Sequence, residues 1–75
     1  MNAETLHSIL MQKNVYGLDG FHLSADEHGV CVTNPYGVDC MLLPMTVGGC
    51  GQALALVAKT KDRKRDWAFY KSWLC

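Results

Sequence analysis

The chain has 75 residues, 49% of them hydrophobic, with seven lysines and arginines balanced by seven aspartates and glutamates. That length admits one domain, residues 1–75, with one small core, and that composition excludes a disordered chain. No apolar run approaches the ~20 residues of a membrane helix. The N-terminus shows neither a basic n-region nor a long apolar h-region, so the expected compartment is the cytoplasm.

The first element reads as a helix from about Ala3 to Lys13. Asn2 is a suitable N-cap, Glu4 suits the positive end of the helix dipole, and Ala3, Leu6, Ile9 and Leu10 share a face. Asn14 and Gly17 offer an exit, and Val15 to Gly20 reads as a loop. Phe21-His22-Leu23-Ser24 and Val30-Cys31-Val32-Thr33 alternate as strands. Ala25 to Gly29 between them is turn-like, with Gly29 free to take positive φ, so the pair is a short hairpin. Asn34-Pro35-Tyr36-Gly37 is a second turn, and Val38 to Leu43 a third strand stopped by Pro44.

Thr46 to Lys61 is read as a helix capped by Thr46, with a central strand over Gln52 to Lys59 as the alternative, because Gly48, Gly49 and Gly51 oppose the helix by about 1 kcal/mol each. The alanines favour the helix, and the glycines then mark a place where another backbone packs close. Its apolar face is expected at Val47, Cys50, Leu54, Val57 and Ala58. The last element, about Asp62 to Leu74, is a helix with Trp67, Tyr70 and Leu74 on its core face and Phe69 and Trp73 widening it. The order α-β-β-β-α-α predicts an α+β fold, a small three-stranded antiparallel sheet packed against two or three helices.

Residues that could carry chemistry are few. Cys31, Cys40, Cys50 and Cys75 are read as free thiols, the first three buried in the core and Cys75 exposed, because a cytosolic chain keeps its cysteines reduced. His22, His28, Cys31 and Cys40 are zinc-ligand types around one hairpin, but only His28 and Cys31 have close spacing, so a zinc-stabilised domain ranks third. No serine or cysteine has a local base, and Asp26-Glu27 sits on a solvated turn. Gly48-Gly49-Cys50-Gly51 lacks the lysine of a phosphate loop. No catalytic residue, metal ligand or cofactor is therefore assigned.

Charge is the remaining signal. Up to Ala58 the only Lys or Arg is Lys13, whereas Lys59, Lys61, Arg63, Lys64, Arg65 and Lys71 crowd the tail. With the aromatic residues among them they could bind nucleic acid, the second-ranked function. The leading expectation is a non-enzymatic protein-interaction module, acting on a larger protein or complex or on itself. Its contacts are expected at Arg63, Lys64, Arg65, Phe69 and Trp73, with the hairpin tip Asp26 and Glu27 as a second patch. Short motif-free chains are frequent among phage and mobile-element accessory proteins, many of them inhibitors of host defence complexes, anti-CRISPR proteins included. That frequency, rather than any residue here, narrows the expectation to an inhibitor of this kind.

Overall fold

The computed structural model describes residues 1–37, 39–61 and 63–74, with Leu74 described by its backbone alone. Helix α1 (Ala3–Met11) leads into strands β1 (Tyr16–Leu18), β2 (Phe21–Asp26), β3 (Gly29–Thr33) and β4 (Cys40–Leu43). Helices α2 (Val47–Thr60) and α3 (Lys64–Leu74) follow. The sheet is an antiparallel meander in the order β1-β2-β3-β4. The fold is α+β as expected, but the sheet has four strands and the order is α-β-β-β-β-α-α. The expected starts at Val38 and Asp62, the core side chain of Leu74 and the exposure of Cys75 lie outside the described residues.

The additional strand occupies part of the expected loop. Asp19 and Gly20 both take positive φ, 52° and 88°, and Leu18 pairs directly with Phe21. A two-residue turn of this kind matches the right-handed twist of its flanking strands, which is why Asp-Gly favours hairpins. Gly29 closes the next hairpin at φ 136°, as expected. Asp26 Oδ1 accepts from the amides of His28 at 2.7 Å and Gly29 at 3.2 Å, holding that tip together.

Both N-caps act as expected: Asn2 accepts from the Thr5 amide at 2.8 Å, and Thr46 from the Gly49 amide at 2.9 Å. The exit of α1 differs. Lys13 takes φ 60°, its amide donates to Leu10 O, and the Asn14 amide donates to Ile9 O. This is a Schellman closure with lysine where glycine is usual, and it ends the helix at Met11.

One face of the sheet forms the core. Phe21, Leu23, Val30, Val32, Met41 and Leu43 alternate inward along β2, β3 and β4 and are buried against Leu6 and Leu10 of α1 and Cys50, Ala53, Leu56 and Val57 of α2. The buried arc of α2 is rotated from the expected one. Gly49, Cys50, Ala53, Leu56, Val57 and Thr60 are buried, whereas Val47 and Ala58 are exposed. Gly49 contributes to this, because its lack of a Cβ lets the first turn of the helix lie against the Pro44 carbonyl. Thr60 joins the core because its hydroxyl donates to Leu56 O at 2.7 Å, leaving no unpaired polar group.

The opposite face of the sheet carries Gly17, His22, Ser24, Cys31, Thr33, Cys40 and Leu42. Here the cysteine expectation is corrected: Cys31 and Cys40 are joined as a disulfide, neither in the core, and only Cys50 is buried as a free thiol among the described residues. Thr33 pairs with Cys40 across β3 and β4, so Cys31 stands diagonal to Cys40 on the same face, with Cα atoms 6.1 Å apart. Protein purified without reductant and unfolded is expected to leave Cys31 and Cys40 unlabelled by a thiol reagent. With a sequence separation of nine, replacing both by serine is expected to lower stability by about 2.5 kcal/mol in urea denaturation, on the loop-entropy account.

Candidate functional site

The C-terminal helix is held from one side and bare on the other. Trp67 is its buried anchor: its ring lies 5.8 Å from that of Phe21, whose edge meets Tyr36 at 6.1 Å. The indole Nε1 donates to Asp39 Oδ2 at 2.9 Å. With the Asn34 amide oriented to donate to Gly37 O, the Asn34 oxygen stands 3.0 Å from the same Nε1. Lys71, one helical turn further on, also donates to Asp39. At the start of the helix the Tyr36 hydroxyl donates to Thr60 O and accepts from the Arg63 amide at 3.2 Å. The loop between β3 and β4 thus fixes both α3 and the junction that precedes it.

Asp39 is the hub of this attachment. The ammonium of Lys71, and then the indole N–H of Trp67, hold its carboxyl below the usual 3.8. A carboxylate whose pKa is lower in the folded chain stabilises it above the unfolded pKa, and that contribution is lost as pH falls through the folded value. Asp39→Asn is therefore expected to flatten the loss of stability between about pH 5 and about pH 2. Urea midpoints across that range check this, and an unchanged pH slope would remove Asp39 from the role.

The outer side of α3 is built by spacing. Arg65, Phe69 and Trp73 recur every four residues and fall on one stripe. Phe69 is 57% exposed and Trp73 76% exposed, and Arg65 is exposed beside them. The Phe69 ring meets that of Tyr70 edge-on at 5.5 Å. Tyr70 in turn borders a groove of about 250 Å³ between α2 and α3, lined also by Gln52, Ala55, Leu56 and Lys59. An aromatic surface therefore runs from the stripe into the groove.

The other expected contacts separate from this stripe. Arg63 precedes the helix and pairs with Asp66 at 3.6 Å. Lys64 shares its helical azimuth with Lys71, on the flank away from Phe69. Asp26 and Glu27 lie at the far end of β2, roughly 16 Å along the strand from the Phe21 end where α3 docks. Asp26 is engaged in its turn, and Glu27 is 3.4 Å from His28 Nε2.

Four of the six basic tail residues meet partners within the chain. Lys59 lies 5.8 Å from the centre of the Tyr70 ring, Lys61 is 3.8 Å from Asp19, and Arg63 and Lys71 pair as described. The zinc-type residues do not gather: the sulfurs of Cys31 and Cys40 are bound to each other, His28 is at the tip, and His22 is on the open sheet face. Among the described residues no three His, Cys, Asp or Glu side chains converge.

The role of Asp39 and Tyr36 carried no local signal, since their partners lie 24 to 32 residues away. The disulfide was readable only from strand register. The chain matches no protein-family model, no curated protein and no solved structure. Among the described residues no helix is long and apolar enough to cross a membrane.

Proposed function

We propose that the chain is a non-enzymatic protein-interaction module that presents the outer stripe of α3, Arg65, Phe69 and Trp73, to a larger protein. The observation that carries the proposal is the exposure of two large aromatic rings on a helix anchored from its other side by Trp67 and Lys71. Those rings hold on the order of 300 Å² of exposed surface, and covering them is worth several kcal/mol before the costs of association. Aromatic residues and arginine are the side chains that dominate interface energies. Arg63, Lys64 and the Asp26–Glu27 tip lie off the stripe and would contact only a partner large enough to reach beyond it.

The test is capture from the source cell followed by direct titration of the captured protein. Phe69→Ala and Trp73→Ala are each expected to weaken its binding about 30-fold, and Ser24→Ala on the open sheet face to leave it unchanged. A partner that binds both aromatic variants as tightly as the wild type overturns the site. An aromatic contact keeps most of its affinity as salt rises. Capture of DNA or RNA that falls by orders of magnitude between about 50 and about 200 mM salt would replace this function with nucleic-acid binding.

The narrower form, an accessory inhibitor of a host defence complex of the anti-CRISPR kind, rests on chain size and class. A host complex still active when saturated with the chain rules it out for that complex. The cytoplasm is proposed as the compartment, and the cysteines give the check. A reducing compartment keeps Cys31 and Cys40 as thiols, whereas a bonded pair in cells trapped by rapid alkylation places the chain in an oxidising one.

A further inference from the structure

Resting on the α3 interaction site, we infer that one occupant of the stripe is a second copy of the same chain, docked antiparallel about a two-fold axis through Phe69. The stripe is self-complementary in that direction. Phe69 is its midpoint, with Arg65 four residues before and Trp73 four residues after. Across the two-fold, Phe69 meets Phe69, and the guanidinium of Arg65 faces the indole of the copy's Trp73 at both ends. A guanidinium over an indole face is the strongest of the cation–π pairs, and Arg stacks flat where Lys does not. A parallel arrangement would instead set Arg65 against Arg65 and align the two helix dipoles, both unfavourable. A closed isologous pair covers both copies of the stripe, so no aromatic surface is left to propagate a fibre.

The area fits a weak dimer. Phe69 and Trp73 from two copies supply on the order of 600 Å² of exposed aromatic surface, about half of the ~1,200 Å² at the low end of specific interfaces. Arg65, Ser72 and the flank of Tyr70 bring the remainder. A dissociation constant of roughly 10–100 µM is expected.

Sedimentation equilibrium of the whole chain over that concentration range tests the proposal. The wild type is expected to be dimeric at the upper end. Trp73→Arg sets arginine against Arg65 at both ends and is expected to raise the dissociation constant about tenfold to a hundredfold. Adding Arg65→Trp to that variant exchanges the two ends and is expected to restore the dimer, which an interface elsewhere on the chain would not do. Both positions are exposed, and far-UV circular dichroism verifies that the variants remain folded. A wild type that stays monomeric overturns the self-docking while leaving the binding of a larger partner to Phe69 and Trp73 intact. A dimer that Trp73→Arg does not weaken, or that the exchange does not restore, also overturns it. Failure of the site as a whole reads differently: a captured partner then ignores Phe69→Ala and Trp73→Ala.

Discussion

Gly49→Ala is expected to destabilise the protein by at least about 3 kcal/mol, among the largest effects of any single methyl group added to the chain. A Cβ at Gly49 would stand 1.8 Å from the Pro44 carbonyl oxygen, 2.8 Å from its carbon and 3.3 Å from its nitrogen. All three are backbone atoms at the sharp entry from β4 into α2, so none can turn aside as a side-chain tip could. The Pro44 oxygen is also fixed by the Thr46 amide at 2.9 Å. Relief requires moving the first turn of α2, which would pull Cys50 and Ala53 from the core and break the Thr46 cap. Two neighbouring glycines serve as controls. A Cβ at Gly48 meets nothing nearer than Thr46 Oγ1 at 3.7 Å, and one at Gly51 meets Ala3 Cβ at 3.5 Å, an ordinary contact. Their alanine variants are expected to be neutral or to stabilise by up to about 1 kcal/mol through helix propensity. Urea midpoints of the three variants decide it; equal effects would show that helix propensity, not the Pro44 contact, governs this turn.

Trp67→Ala is expected to lower stability by about 3–5 kcal/mol and to remove partner binding along with it. A domain of this size has a total stability of only about 4–11 kcal/mol. The variant empties the space beside the Phe21 ring and leaves Asp39 with Lys71 as its remaining tie to α3. Because α3 touches the sheet chiefly through this ring, its outer stripe loses its fixed position. Binding should then fall even at temperatures where the rest of the chain remains folded. Fluorescence gives an independent check. Trp67 is buried and Trp73 exposed, so acrylamide should quench one of two emitting populations in the wild type and nearly all the emission of Trp67→Ala. A single, equally quenched population in the wild type would count against the burial of Trp67.

Much of the candidate site was legible locally. The four-residue spacing of Arg65, Phe69 and Trp73 and the core spacing of Trp67 and Tyr70 follow from the helical period. The expectation that Phe69 and Trp73 widen the core face is corrected: both are exposed, on the side of α3 away from Trp67. Two features were open to reading and were missed. The pair Asp19-Gly20 between Leu18 and Phe21 is a strong hairpin signal, although by composition alone, with two glycines and an aspartate, the segment reads as a loop. The path Gly49-Cys50-Ala53-Leu56-Val57-Thr60 competes with a wider apolar arc that includes Val47, Leu54 and Ala58. Apolarity alone ranks both arcs alike, and the close approach of Gly49 to the Pro44 carbonyl favours the first.

What the sequence by itself determined is what acts over a few residues: the Asn2 cap, the turn at Gly29, the alternation of β2 and β3, and the first and last helices. Each depends on hydrogen bonds or periodicities that close within one or two turns of chain. The helical state of Thr46 to Lys61, by contrast, stayed open against a strand. The tertiary structure alone decided the pairing of Cys31 with Cys40, the gathering of Trp67, Lys71 and Asn34 around Asp39, and the bridge from Tyr36 to Thr60 and Arg63. Those contacts span nine to 32 residues. Such contacts form only once strand register and helix docking have overcome the entropy of bringing distant segments together, so nothing in the local sequence announces them.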